Sequence, residues 1–403
     1  MNKPFRLTSL IILLLLTCPF ISSAQDFITI SGKIVDSETN EPLAYSTISI
    51  KNASIGVISN LNGQFKFSVP QAHHKASVMV SMLGYETLLL AVGELNANPI
   101  FKLKQEVVQL EEVTITTKKQ TGNEILKEAI KRQKEHAPQS DYALGLFVRE
   151  LFYFDSTCYA VVESAAELFG RAFPKPDFDV YLDHSRSAVG SEPTQPIGLF
   201  KDYNPFGEFQ RIVGSKKRMM YACKECPYEI EKYTFWDDRL VAVIASKRKD
   251  SSSRYFRYTI DMENYAILKF DFGSRIPMGS AFKQDFGDIR SSLVYLERTI
   301  EFQEFEGQYF LKSYRQIVKH GYEKEEGVLA YTTLHVFQVL ANSIETSEVQ
   351  PLKSSKHNGK LMNYKKTLFS QSDEGNSEFW NQYNGIERTS EEDELFMFLS
   401  QKH

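Results

Sequence analysis

Two residues in the last quarter of the chain have a spacing that could support metal chemistry. His320 and Glu323 form an H-x-x-E pattern, and an imidazole nitrogen and a carboxylate oxygen are both zinc ligands. A catalytic zinc site would also need a further histidine, for which His335 and His357 are the candidates, and a glutamate as general base. The segment from His320 to Gly327 is rich in Gly and Glu, which also fits a hairpin turn. We favour the turn, so His320 and Glu323 remain weak metal candidates.

The cysteines form a second candidate group. Cys223 and Cys226 have the C-x-x-C spacing of redox motifs and of half a zinc site. A redox pair should open a helix, whereas Pro227 and Tyr228 begin a loop and then a strand. The sequence contains no second C-x-x-C and no H-x₃₋₅-H pattern that could complete a tetrahedral zinc site. We therefore predict a structural disulfide, either between these two cysteines or between one of them and Cys158.

Other catalytic signatures are missing from the sequence. It contains no G-x-S-x-G, no P-loop and no dinucleotide-binding fingerprint. The acids Asp202, Asp237, Asp238 and Asp285 lie near turns, where solvated carboxylates are common. A net charge of −4, with both signs mixed along the chain, lacks the basic face that nucleic acid requires. We expect no cofactor, no nucleic-acid partner and no enzymatic activity.

The first 24 residues predict an export signal. Lys3 and Arg6 form a positive segment, Leu10 to Leu16 is continuously apolar, and small residues precede Gln25. We predict cleavage after Ala24. No later stretch approaches 18 consecutive apolar residues, so we expect the mature chain to be soluble or peripherally attached.

A competing interpretation is that Cys18 becomes a lipidated N-terminus. Thr17 before it and Pro19 after it both disfavour this processing. We expect an exported protein of the periplasm or of the outer membrane, with peripheral membrane contact as one option.

Residues 25–104 have the pattern of a small β-sandwich. Short alternating runs are separated by turn signals, beginning with the run from Ile28 to Asp36. Asn62-Gly63 supplies the positive φ of a tight hairpin turn, and Phe65 and Phe67 share one face of the next strand.

Three motifs in this region resemble the carboxypeptidase-regulatory-like domain of Bacteroidetes envelope proteins. The motifs are the segments 30–48, containing "G-K-I-V-D" and "P-L-A-Y-S-T-I", 56–65, containing "G-V-I-S-N-L-N-G-Q-F", and 81–86, containing "S-M-L-G-Y-E". Leu110 to Ile115 resembles the "L-x-E-V-x-V" segment that commonly follows this domain. The resemblance implies a transthyretin-like sandwich without catalysis of its own.

The larger second region predicts an α+β domain built on a curved antiparallel sheet. After a linker at 105–122, Asn123 to Glu135 has the pattern of a helix with Asn123 as N-cap. Long alternating strands with short polar turns then run from Arg254 to Leu340. The segment from Tyr258 to Phe270 resembles strand pairs of the lipoprotein-carrier-like half-barrel, which implies an apolar cavity.

We therefore predict a mostly β fold. The signal peptide covers 1–24, the Ig- or transthyretin-like sandwich 25–104, the half-barrel-like domain 123–353, and a polar tail 354–403. Thr389 and Ser390, with Glu392 and Asp393 behind them, predict a capped helix at the end of this tail.

Three functions remain open from the sequence. The first is an envelope-associated binding or scaffold protein that holds an apolar, lipid-like ligand or a partner protein, and a continuous apolar cavity beneath residues 254–340 would favour it. The second is an accessory component of a TonB-dependent uptake system with an outer-membrane partner. The third is a hydrolase with an unrecognised active site, for which buried, mutually close polar side chains would be the evidence.

Overall fold

The fold is mostly β, as the sequence predicts, with a small sheet domain followed by a large curved antiparallel sheet. A computed structural model describes residues 27–94, 100–106, 120–173, 177–190, 204–213, 227–246, 254–275, 283–286, 289–324, 328–347, 349, 360–371 and 377–400. The signal segment, Cys18, Cys223, Cys226, Asp202 and His357 lie outside these residues.

Seven strands form the two sheets of the N-terminal domain. They are β1 (Phe27–Asp36), β2 (Thr47–Ile50), β3 (Gly56–Ile58), β4 (Gln64–Pro70), β5 (Ser77–Ser81), β6 (Leu88–Ala91) and β7 (Ile100–Leu103). One sheet has the order β4-β1-β7, with β7 parallel to β1, and the other has the order β3-β2-β5-β6. Alternate residues of both sheets, including Ile34, Ile48, Phe67 and Val80, fill the core.

The turn predicted at Asn62-Gly63 is present, although it does not form a hairpin. It joins β3 to β4, which belong to different sheets. The side chain of Asn60 accepts hydrogen bonds from the backbone N–H groups of Asn62 and Gln64, both at 2.9 Å. Gly63 has a φ of +73°, and a Cβ there would lie 2.4 Å from the carbonyl oxygen of Ile34. This position therefore requires glycine.

Twelve strands form the sheet of the larger domain. They are β8 (Tyr142–Phe154), β9 (Thr157–Gly170), β10 (Phe178–Val189), β11 (Tyr228–Trp236), β12 (Arg239–Ser246), β13 (Arg254–Asp261), β14 (Ile267–Arg275), β15 (Lys283–Phe286), β16 (Ile289–Phe305), β17 (Gln308–Lys324), β18 (Leu329–Glu345) and β19 (Lys360–Leu361). The order is β11-β12-β13-β14-β16-β17-β18-β8-β9-β10-β19, with β15 paired to β16. The predicted meander therefore forms the middle of a wider sheet.

One face of this sheet, here called the inner face, is covered by two helices. Helix α1 (Gly122–His136) and helix α2 (Pro205–Val213) contribute Ile125, Ala129, Phe206 and Phe209 to its core. The N-cap of α1 is Thr121, which forms a capping box with Glu124. The prediction of Asn123 as N-cap is therefore wrong. The Asn123 side chain instead accepts a hydrogen bond from the N–H of Tyr228 and connects α1 to β11.

The opposite face, here called the outer face, packs against the N-terminal domain and the C-terminal segment. Helices α3 (Ser377–Gln382) and α4 (Ser390–Ser400) belong to this segment, which is here defined as residues 377–400. Ile58 of the N-terminal domain and Trp380 of the segment join Phe147 and Leu340 of the sheet in one apolar cluster. Thr389 and Glu392 cap α4 reciprocally, as predicted. None of the helices in the described part of the chain is long and apolar enough to span a bilayer.

Candidate functional site

An apolar groove opens where α1 crosses the edge of the inner face. Its volume is about 510 Å³ including the open mouth. The side chains that line it come from α1, from the end of α2 and from β14, β16 and β17 with the turn before β14: Ala129, Gln133, His136, Ala137, Val213, Ala266, Ile267, Phe302 and Tyr309. The groove has the concave, mainly apolar character of a small-molecule site.

Polar groups are concentrated at one wall of this groove. His136 Nε2 lies 3.0 Å from the carbonyl oxygen of Asn264, and its ring meets Tyr309 edge-on at 5.4 Å between centroids. The Tyr309 hydroxyl accepts hydrogen bonds from Asn264 Nδ2 at 2.9 Å and from Arg239 Nη1 at 3.0 Å. Burial raises the pKa of Tyr309, so its hydroxyl stays protonated at neutral pH. Arg239 also forms an ion pair with Glu304 at 2.7 Å.

The space beneath the central strands is filled by side chains. Phe206 and Phe209 of α2 are fully buried, and their rings contact Phe337 and Tyr314 at centroid distances of 5.2 Å each. These aromatic contacts occupy the inner face where the half-barrel resemblance implies a cavity. The apolar opening in this part of the structure is therefore a groove at the margin of the sheet rather than a deep chamber.

The two weak metal candidates lie on one strand and face opposite ways. His320 pairs with Leu293 and Glu323 with Arg290, and the register of β17 and β16 has no shift between these two pairs. Side chains three residues apart on a strand point to opposite faces, so these two do not converge on one ion. The hairpin predicted in this segment is present, since β17 and β18 pair antiparallel, but it begins later than predicted because β17 continues to Lys324. Among the described residues, no three His, Cys, Asp or Glu side chains form a group that could hold a metal ion.

A buried carboxylate that the sequence did not indicate lies beside His335. Glu150 on β8 is 1% exposed, and its Oε1 is 3.8 Å from His335 Nε2 on β18. The His335 ring stacks on Phe152 at 4.5 Å between centroids. At 3.8 Å these two atoms are beyond hydrogen-bond distance, and the pair does not by itself form a nucleophile or an oxyanion site. Glu150 lies inside the apolar run from Leu144 to Phe154, and this break in the run is the signal that could have indicated it.

The remaining predicted side chains are dispersed. Cys158 is buried and forms no disulfide with any described residue, and burial raises the pKa of its thiol to about 12. Both predicted disulfide pairings, Cys223 with Cys226 and Cys158 with one of these two, involve residues outside the described part of the chain. Asp237 and Asp238 form the turn between β11 and β12 with positive φ, and Asp285 lies on β15, paired with Arg290.

A group of buried charges connects the outer face to the C-terminal segment. Glu163 on β9 is fully buried and forms ion pairs with Arg149 on β8, Arg186 on β10 and Arg388 in the segment. Arg149 also contacts Glu392 on α4 at 3.4 Å. The sequence did not indicate this group because its members come from separate elements.

Comparison with known proteins adds fold similarities of low identity. No curated protein is significantly similar to the chain. A putative outer membrane lipoprotein-sorting protein domain from Vibrio parahaemolyticus is 8% identical, with 57% of this chain and 94% of that chain covered and a TM-score of 0.24. A DUF1329 family protein from Desulfovibrio piger is 8% identical, with 60% and 99% covered and a TM-score of 0.25. A chain of the MucA/MucB complex from Pseudomonas aeruginosa is 9% identical, with 56% and 99% covered and a TM-score of 0.18. At these scores the similarities carry no argument about function.

The family comparison concerns the N-terminal domain. Residues 30–115 match the sequence model of the CarboxypepD_reg-like domain. The match includes the three motifs from which the resemblance was inferred, and the two-sheet fold of β1 to β7 agrees with it. The N-terminal part of this chain is therefore a CarboxypepD_reg-like domain.

Proposed function

We propose that this is an exported, envelope-associated binding and scaffold protein that holds a lipid-like ligand in the groove beside α1. The observation that carries the proposal is the groove itself. It is an apolar opening, whereas the rest of the inner face packs against side chains of α1 and α2. Its apolar walls suit a hydrocarbon chain, and the side chains of His136 and Tyr309, which line one side, suit a polar head group. The export signal predicted at 1–24 supports the envelope location.

The scaffold part of the proposal rests on how the domains are joined. The N-terminal domain and the C-terminal segment are tied by reciprocal hydrogen bonds, in which Ser68 N donates to Asn384 Oδ1 at 2.8 Å and Asn384 Nδ2 donates to Ser68 O at 2.9 Å. Arg315 on β17 stacks on Tyr45 at 4.1 Å. These contacts hold the small domain against the outer face, so the groove on the inner face stays accessible.

The test uses saturated fatty acids of increasing length and the mature chain, with calorimetry to measure the dissociation constant. Each methylene buried contributes about 0.8 kcal/mol, so affinity should rise about fourfold per carbon until the groove is full. Gln133→Trp, at a half-exposed groove position, should weaken binding by about tenfold or more, which corresponds to about 1.4 kcal/mol.

Lys127→Trp is the matched control, because it adds the same indole to an exposed position of α1 that does not line the groove. It should bind like the unchanged protein. Absence of binding, affinity independent of chain length, or equal affinity of the two variants would refute the proposal. Capture of an apolar peptide in place of fatty acids would assign the groove to a protein partner instead.

A further inference from the structure

A second cleft lies at the junction of the N-terminal domain, the outer face and the C-terminal segment. Its volume is about 540 Å³ including the open mouth. Four cationic side chains from four different elements line it: Lys66 of β4, Arg149 of β8, Arg186 of β10 and Arg388 of the segment. Glu387 lines the cleft too, and burial raises the pKa of its carboxyl group while Lys66 opposes that shift.

The carboxylates that hold the arginines lie behind the lining rather than in it. Glu163 is fully buried and accepts hydrogen bonds from Arg186 Nε at 2.7 Å and from Arg388 Nη1 at 3.2 Å. Asp393 accepts from Arg388 Nε at 2.6 Å. Among the described residues, these bonds leave Nη1 of Arg186 and Nη2 of Arg388 without an acceptor. The two guanidinium groups are therefore held in place, and each keeps N–H donors that no described acceptor uses.

Lys66 adds a further cationic donor to the cleft. Lys66 is half-buried, and no described carboxylate lies within ion-pair distance of its ammonium group. Trp380 is 7% exposed and lines the cleft. Its ring packs on Arg186, at 4.3 Å from ring centroid to Cζ. The ammonium group of Lys66 and the free guanidinium N–H groups are therefore the donors that a ligand in the cleft could reach.

We propose that this junction cleft binds a small oxyanion group, such as a carboxylate, sulfate or phosphate, carried by a soluble molecule or by a partner. Guanidinium groups held in place by buried carboxylates, together with the ammonium group of Lys66, are donors whose charge and geometry suit the oxygens of such a group. The aromatic rings of Phe147 and Trp380 line the same cleft and provide flat apolar surface beside the donors. Because the cleft is formed by three parts of the chain, a bound anion would also strengthen their junction.

The experiment uses Trp380 as its own reporter. The chain has two tryptophans, so Trp236→Phe in the full mature protein leaves fluorescence from Trp380 alone. Sodium phosphate, sodium sulfate and sodium glucuronate are titrated separately at constant ionic strength, with neutral glucose as the reference, so that general salt effects are held fixed. We expect a saturable fluorescence change with at least one of the three anions and none with glucose.

Variants separate this site from nonspecific anion binding. Lys66→Glu and the milder Lys66→Gln should weaken binding, the former by about tenfold or more, since both remove a charged donor from the cleft. Lys51→Glu makes the same charge reversal at an exposed turn away from the cleft and should leave binding unchanged. No saturable change with any of the three anions, or equal weakening by Lys66→Glu and Lys51→Glu, would overturn the proposal.

Discussion

Removing the charge of Glu163 is the sharpest test of how the three parts of this molecule are held together. The substitution Glu163→Gln keeps the size of the side chain but leaves Arg149, Arg186 and Arg388 without their shared carboxylate. Glu163 is 0% exposed and Arg149 is 3% exposed at the side chain. Breaking a buried ion pair by neutralising one partner destabilises a protein by about 3–5 kcal/mol, a large part of the 5–15 kcal/mol of a typical domain.

Glu231→Gln is the matched control for this substitution. Glu231 also binds an arginine in a two-bond geometry, with Arg257 Nε and Nη2 at 2.7 and 3.1 Å. Its side chain is 40% exposed and that of Arg257 is 39% exposed, so solvent screens the pair. We expect Glu231→Gln to lower the free energy of unfolding by less than about 1 kcal/mol. Both substitutions replace a glutamate that binds arginine by glutamine, and Glu163 is buried whereas Glu231 is exposed.

Urea denaturation of the mature chain measures both free energies from the midpoint and slope of unfolding. Limited proteolysis provides a second readout, because Arg388 anchors the C-terminal segment to Glu163. Glu163→Gln should release this segment for cleavage at a protease concentration that leaves Glu231→Gln intact. Equal destabilisation by the two substitutions, with the segment still protected, would refute the assignment of the buried charges as the connection between the outer face and the segment.

The stabilisation that Glu163 provides should depend on pH in a definite direction. Burial alone would raise the pKa of Glu163, but the three neighbouring arginines outweigh burial and lower the pKa below its ordinary value of 4.5. A carboxyl group with a lowered folded-state pKa stabilises the fold above the unfolded-state pKa, and this contribution is lost as pH falls through the folded value. The difference in unfolding free energy between the unchanged protein and Glu163→Gln should therefore be constant from neutral pH to about pH 5 and should shrink at lower pH. A difference that grows on acidification would contradict the argument.

Two further predictions concern a turn and a buried histidine. Gly63→Ala should destabilise the N-terminal domain by about 1–3 kcal/mol, since φ is +73° and the new Cβ would meet the carbonyl oxygen of Ile34 at 2.4 Å. Gly93→Ala, where a Cβ meets nothing within 4 Å, should change the same unfolding free energy by less than about 0.5 kcal/mol. Burial, and secondarily His335, lowers the pKa of His320 to about 4 from 6.5, so the unfolded chain binds a proton that the folded chain excludes between these values. Between pH 7 and pH 4, the free energy of unfolding of the unchanged protein should therefore fall by up to about 3 kcal/mol more than that of His320→Leu. Urea denaturation at both pH values measures this, and equal losses in the two proteins would contradict the assignment.

The local features of the N-terminal domain could be predicted because short-range chemistry determines them. Asn60 and Gly63 form a turn through contacts within five residues, and Phe65 and Phe67 share a face because strand side chains alternate. The motifs containing these residues also indicated the family that the comparison supports. Even here the sequence suggested a hairpin, because it does not show that β3 and β4 belong to different sheets.

The interior of the larger domain was harder to predict. An apolar alternating strand has the same pattern whether its inner face lines a cavity or packs against a helix. In the structure this face packs against helix α2, because Phe206 and Phe209 fill the space in which the half-barrel resemblance implies a cavity. Similarly, the H-x-x-E spacing of His320 and Glu323 gave no metal geometry because both lie on one extended strand.

The sequence by itself determined the mostly β character, the position of the small N-terminal domain, the helix that precedes the large sheet and the cap at Thr389. These depend on hydrophobic period, turn residues and capping residues that are neighbours in the chain. Only the tertiary structure decided the groove, the buried charges around Glu163 and the cleft beside Lys66. Each of these is formed by side chains from elements far apart in sequence, such as Lys66, Arg149 and Arg388. Their proximity follows from strand order and domain packing, which no local pattern of residues contains.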